Sequence, residues 1–232
     1  MSASNAKPTV VVVHGAWADG SSWSKVIQRL QAEDVAVVAA PIPLTSLSED
    51  VKALDRMLER VAGPALLAAH AYAGAVIGST RNERVRGLVF VAALAPDEGE
   101  TVADVFYREP PHPMAPHLAP DSDGLIWMPE AGFASAFAQH ASKQDNALFA
   151  AVQRPISVAC IQEKVPAPLW KRLPSWYCLA GQDRMINPHT QEFMASRMKA
   201  TLHRTDADHI PMATAPDDVV SFIREALRDV SS

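Results

Sequence analysis

Apolar runs of strand length alternate with stretches of helical periodicity at both ends of this chain, and that alternation limits the folds open to it more than any other feature. Thr9–Val13 is a β-branched run of the kind buried on both faces of a sheet, and it ends at His14-Gly15. Asp19, Ser21 and Ser22 offer caps for a helix in which Trp23, Val26, Ile27 and Leu30 recur at helical spacing. Val35–Ala40 predicts a second strand, closed by Pro41. Ser48 with Asp50 opens a helix that carries Val51, Leu54, Leu58 and Val61 inward and stops at Gly63-Pro64. Ala65–Ala69 predicts a third strand, a helix from Ala71 to about Arg81 follows, and Val85–Ala93 predicts a fourth strand. Late in the chain Ser175–Ala180 and Thr201–Thr205 predict two more, separated by a helix over Thr190–Met198 and followed by one over Pro216–Val230. The expected fold class is α/β, a mostly parallel sheet of about six strands with helices on both faces.

With 232 residues and 48% hydrophobic content, the chain has the size of one domain, or one domain with an insertion. Pro96 to Pro168 breaks the alternation. It carries the proline-rich piece from Glu109 to Pro116, then apolar anchors at Trp127, Phe133, Phe137, Leu148 and Phe149. Those anchors favour an ordered helical cap over the end of the sheet rather than a disordered loop. The expected organisation is therefore a core of residues 1–95 and 169–232 with a cap, or lid, insertion over 96–168.

Charge narrows the partners. Twenty-one basic against 26 acidic residues give a net charge of −5 with no basic run to follow a phosphate backbone, which argues against nucleic acid. Met1–Pro8 lacks the apolar region of a secretory signal, and no run approaches the roughly eighteen apolar residues of a membrane span. The expectation is a cytoplasmic protein without a membrane partner, monomeric or homodimeric. Cys160 and Cys178 both lie in apolar runs and are expected to be buried free thiols rather than a bridge.

One stretch concentrates the chemistry. Leu67-Ala68-Ala69-His70-Ala71-Tyr72-Ala73-Gly74 reads as a strand turning sharply into a helix of small residues, the shape that presents a nucleophile at position 71. Acyl transfer on such a turn needs, later in the chain and in this order, a carboxylate and then a histidine. Asp183 stands just past a strand, at the carboxyl end where open α/β sheets bind ligands, although an Asx turn or a pair with Arg184 would also explain it. Asp97, just past the fourth strand, is the fallback acid. His209 lies between the last strand and the last helix, where an imidazole can serve as base and then acid near neutral pH. The Ala16 N–H, after His14-Gly15, can converge with the Tyr72 N–H on a developing oxyanion.

Together, Val12–Trp17, Ala69–Gly74, Gly181–Pro188 and Asp208–Met212 make the chain resemble the α/β-hydrolase superfamily. The resemblance is to its small cofactor-free esterases, related to plant methyl-ester esterases and hydroxynitrile lyases and to their bacterial relatives. It spans nearly the whole chain and implies an α/β-hydrolase fold and a serine-type hydrolase of small hydrophobic or aromatic carboxylic esters, with lactones as further candidates. It also implies that no cofactor and no metal take part. Two departures stand out: Ala69 and Ala73 replace the glycines that usually flank the nucleophile, and Ala71 replaces the serine itself.

A methyl group cannot attack a carbonyl, so the chain as it stands is expected to lack ester turnover. Three explanations remain open: a deliberate Ser→Ala change, a non-catalytic binder of small ligands on a hydrolase scaffold, or lyase or oxygenase chemistry that uses the His-Asp pair without a serine. The first is preferred, because a pure binder has no need for an acid and a histidine aimed at one position. The expected ligand is a small ester or its acid product, with Trp17, Tyr72, Trp127, Met128 and Phe137 as candidate walls of an apolar pocket.

Overall fold

The computed structural model describes residues 7–231. Residues 1–6, most of the N-terminal stretch read above for a secretory signal, lie outside the described residues, as does residue 232. The main sheet contains β1 (Thr9–Val13), β2 (Val37–Ala40), β3 (Ala65–His70), β4 (Val85–Val91), β7 (Ser175–Ala180) and β8 (Thr201–Thr205). A separate antiparallel pair, β5 (Leu125–Ile126) and β6 (Ile156–Ser157), lies between β4 and β7 in the chain. The main sheet runs β2-β1-β3-β4-β7-β8, with every neighbouring pair parallel.

β1 and β3 lie inside the sheet and are buried at every residue, which is why their sequences are unbroken apolar or small runs rather than alternating ones. The edge strand β8 is largely exposed. Helices 24–31 and 216–230 pack on one another, and 47–59 packs on 73–79, so that helical layers flank the sheet. From β1 the chain winds outward to β2, then returns to β3 and proceeds the other way. The crevice of an open α/β sheet opens at such a reversal, here between the ends of β1 and β3.

Local differences from expectation have local causes. The helix expected to open at Ser48 with Asp50 instead begins at Leu47 and is capped by Ser46, whose side chain accepts from the Glu49 N–H. Asp50 is turned inward and fully buried. The third helix spans only Ala73–Ser79, since Ala71 and Tyr72 belong to the turn. Both cysteines are buried and free, and desolvation pushes each thiol up to about 12.

Residues 96–168 fold into short pieces: helices Val102–Phe106, Glu130–Gly132, Lys143–Val152 and Val158–Gln162, a π-helical turn Phe133–Phe137, and the β5–β6 pair. The ends of this segment meet, with the Gly99 N–H donating to Val165 O (3.0 Å) and the Val165 N–H donating to Glu100 O (2.8 Å). It is pinned to the loops at the carboxyl ends of the main strands. Trp17 donates its N–H to Arg154 O (3.0 Å) and its indole N–H to Ile126 O (2.9 Å), and the His140 N–H reaches Asp208 Oδ2 (2.8 Å). No helix among the described residues is long and apolar enough to cross a membrane.

Candidate active site

The turn after β3 is strained. Ala71 has φ +48°, a left-handed conformation that costs a residue with a Cβ roughly 1–2 kcal/mol. Its carbonyl accepts from the Gly74 N–H (3.1 Å) and the Leu94 N–H (2.9 Å), which hold it in place. Two glycines make room. A Cβ on Gly74 would lie 2.3 Å from Leu94 O, so the helix could not seat against the end of β4. A Cβ on Gly15 would lie 2.9 Å from the Ala71 methyl and 3.1 Å from His70 Nδ1, so β1 and β3 could not approach as they do.

Asp183 and His209 meet at the other side of the site. His209 Nδ1 lies 2.9 Å from Asp183 Oδ2, and both side chains are buried. Asp183 accepts three further hydrogen bonds: from the Met185 (2.7 Å) and Ile186 (2.9 Å) N–H groups on Oδ1 and from Gln191 Nε2 (2.8 Å) on Oδ2. With four donors on it, this carboxylate accepts the His209 Nδ1–H, leaving Nε2 for a substrate. Gln191 also receives the Ala180 N–H on Oε1 (3.0 Å), tying the acid to the end of β7. The sequence reading missed Gln191, for which eight residues of separation inside a helix gave no signal. Asp97, the fallback acid, is elsewhere engaged, with Lys171 Nζ 2.5 Å away.

His70 is a further histidine that the sequence reading passed over. Its Nε2–H donates to His209 O (2.7 Å), and the two rings lie 4.7 Å apart. Burial drives its pKa well below the ordinary imidazole value, and the neighbouring His209 adds to the effect. His70 is therefore neutral, and it fixes the backbone from which His209 projects. His14 is also buried and lowered by desolvation.

No hydrogen bond engages the Ala16 or Tyr72 N–H among the described residues, so both oxyanion candidates stand free. The Tyr72 hydroxyl points away from the turn and donates to Asp50 Oδ2 (2.7 Å), whose Oδ1 accepts the Leu44 N–H (2.7 Å). Burial raises the pKa of Asp50 despite these donors and raises that of the Tyr72 phenol far above its ordinary value.

Ala16, Ala71, Tyr72 and His209 all line one cavity, which encloses about 570 Å³ of empty space counting its open mouth. Most of that space lies close against the walls, so the cavity is a narrow slot. Its walls include Trp17, Leu94, Phe106, Leu118, Ile156 and Met185, and no Lys, Arg, Asp or Glu is among them. Of the expected wall residues, Trp17 and Tyr72 line the slot and the other three do not. Trp127 is 48% exposed and hydrogen-bonds Asp121, Met128 is buried outside the lining, and Phe137 is fully buried beneath the histidines. The Phe137 ring packs edge-on against Trp17, His70, His209 and Phe133, so it supports the site from behind. No cluster of three or more His, Cys, Asp or Glu suited to a metal occurs among the described residues.

A family model described as "Alpha/beta hydrolase family" matches residues 10–222. No curated protein matches the chain. Among solved structures, polyneuridine aldehyde esterase superposes with a TM-score of 0.82 at 17% identity, covering 98% of this chain and 100% of that one. An extracellular α/β-hydrolase from a Paenibacillus species, which shares structural and functional homology with tobacco salicylic acid binding protein 2, gives 0.77 at 19% identity over 94% and 98%. A histidine-to-alanine variant of tomato methylketone synthase I, complexed with beta-ketoheptanoate, gives 0.83 at 14% identity over 97% and 99%. At such identities these likenesses establish the fold.

Proposed function

The chain belongs to the alpha/beta hydrolase family, and from that premise we propose that its slot binds a small, neutral, apolar carboxylic ester or lactone in an esterase site whose attacking hydroxyl is missing. The observation that carries this reading is the buried His209–Asp183 pair set beside a left-handed Ala71 in one apolar slot. A binding protein has no use for that combination, whereas acyl transfer needs all of it. The absence of a charged wall suits a neutral ester better than its acid product.

In the serine form, His209 Nε2 takes the proton of the hydroxyl at position 71 as its oxygen attacks the carbonyl carbon. The oxyanion settles on the Ala16 and Tyr72 N–H groups. Asp183 holds the tautomer and stabilises the imidazolium, which then gives its proton to the leaving alcohol. Water, activated by the same histidine, releases the acid. The alanine form binds the ester and stops there. The test is a panel of aryl and alkyl esters and lactones, assayed for binding and turnover with the alanine form and with Ala71→Ser. Binding by the first and hydrolysis by the second is the expected result, and a serine form inactive on the whole panel refutes it.

A second reading rests on His209 Nε2 facing a slot without a nucleophile. Methylketone synthase I, which has this fold, was crystallised with a β-keto acid. A β-keto carboxylate held in an apolar slot is destabilised as a charge and loses CO2; the enolate oxygen sits on the two N–H groups, and protonated His209 delivers a proton to carbon. Ketone formation from β-keto acids by the alanine form, abolished in His209→Ala, would establish this reading over the first.

A further inference from the structure

A second, larger cavity opens beside the slot. It encloses about 1190 Å³ with its mouth and shares Phe106, Tyr107, Leu118 and Met185 with the slot, so the two adjoin along those side chains. Its outer wall is the proline-rich stretch from Glu109 to His117, and Asn187 completes its inner side. Prolines 110, 111, 113 and 116 give this wall a restricted backbone, and His112 and His117 add ring faces.

The order of the strands decides which part of a substrate reaches this vestibule. Trp17 follows β1, and through its indole N–H it holds the β5–β6 pair, which contributes Ile126 and Ile156 to the slot. Those residues form the β1 end. Met185 and Asn187 follow β7, on the loop that carries Asp183, and His209 follows β8, next in the sheet. Met185 and Asn187 therefore set the vestibule's inner side on the β7 loop, the loop that also carries Asp183. The leaving oxygen must receive its proton from His209 Nε2, so it faces this side, and the acyl carbon chain faces the β1 end.

We infer that the slot and the vestibule form a bipartite site that takes esters of a small apolar acid with a bulky, ring-bearing alcohol, the acyl group ending against Ile126, Ile156 and Trp17 and the alcohol ring resting among Tyr107, Leu118 and the prolines. The inference rests on the esterase reading and adds a direction to it. The narrow slot admits little growth on the acyl side, whereas the vestibule accepts a ring, whose apolar face leaves water against proline, tyrosine and histidine carbons.

Two matched series test it on the alanine form, where no turnover intervenes. In one, the acid is fixed as propanoate and the alcohol grows from methyl through benzyl to naphthylmethyl. In the other, the alcohol is fixed as methyl and the acid grows in the same steps. The expected result is a Kd that falls about tenfold per added ring in the first series and does not improve in the second. Tyr107→Ala, at a side chain 60% exposed and so safe for folding, should reduce the benzyl-to-methyl ratio of the first series several-fold. Improvement confined to the second series, or a ratio unmoved by Tyr107→Ala, overturns the inference while leaving the esterase reading intact. Binding by no member of either series overturns both.

Discussion

On the β7–β8 side of the site Asp183 has every lone pair engaged and His209 is pinned through both its ring and its backbone, whereas on the β3 side a strained turn is maintained around a methyl group. The first region owes its geometry to polar contacts that side chains make with one another and with the backbone. The second owes its geometry to backbone hydrogen bonds from Gly74 and Leu94 and to close packing at two glycines. Because nothing in the turn depends on a hydroxyl, the strain at Ala71 survives without the oxygen it would serve. The difference shows that the backbone, not the nucleophile, builds this turn.

The largest effect expected breaks the asymmetry outright. Ala71→Ser should raise kcat on a suitable ester by about 10⁶ over the alanine form, since loss of a triad nucleophile costs about that much. Single-turnover and steady-state assays check it, with Ala71→Ser/His209→Ala as the control expected to fall back to the alanine level. Next, in the serine form, Asp183→Asn should lower kcat about 10⁴-fold through the wrong imidazole tautomer. Asp97→Asn, at a carboxylate paired with Lys171, should change it only a few-fold at most. Equal losses at the two positions would remove the distinction between a built acid and a bystander.

Acidification probes the same contrast through stability. His14 and His70 are held neutral below the ordinary imidazole value of 6.5, so on unfolding each binds a proton that the native state refuses. Stability therefore rises with pH in the window between the lowered native values and 6.5, and falls as pH drops through it. Each group contributes up to about 1.4 kcal/mol per pH unit there. Urea unfolding at pH 7.5, 6 and 5 should show the decline, and His70→Gln should flatten it. The smallest effect concerns the turn alone. Ala71→Gly removes the Cβ from a left-handed residue and should stabilise the fold by about 1 kcal/mol in denaturant melts. A loss of that size instead would mean that the methyl packs better than its backbone suffers.

The sheet was legible because buried parallel strands leave unbroken apolar runs, as at Thr9–Val13 and Ser175–Ala180; Thr201–Thr205, at the exposed edge, was legible only from its place between two helices. The meeting of position 71, Asp183 and His209 was legible for a topological reason: all three follow strands, and parallel strands deliver their carboxyl ends to one rim. The slot was not. Its walls at Phe106, Leu118, Ile156 and Met185 come from a five-residue helix, a two-residue strand and two loops, pieces too short for any periodicity to encode their facing. Trp127 and Phe137 carry the same aromatic signal in the sequence, yet one is turned to solvent and the other lies behind the histidines. Asp50 looked like a helix opener because it sits in a first turn, and only the packing of Tyr72 against it reveals a buried carboxyl.

The two hydrogen bonds that join Gly99 and Glu100 to Val165 close the long excursion between β4 and β7 at its root. A segment closed in this way is a replaceable part. The sheet experiences only the distance between its two ends, and the entropy of closing a loop grows slowly, by about 0.6 kcal/mol for each doubling of its length. Lengthening, shortening or exchanging everything outside that clasp therefore places little demand on the strands beneath. One rim carrying an acid, a base and two amides can in this way be inherited beneath many different roofs, each selecting its own guest.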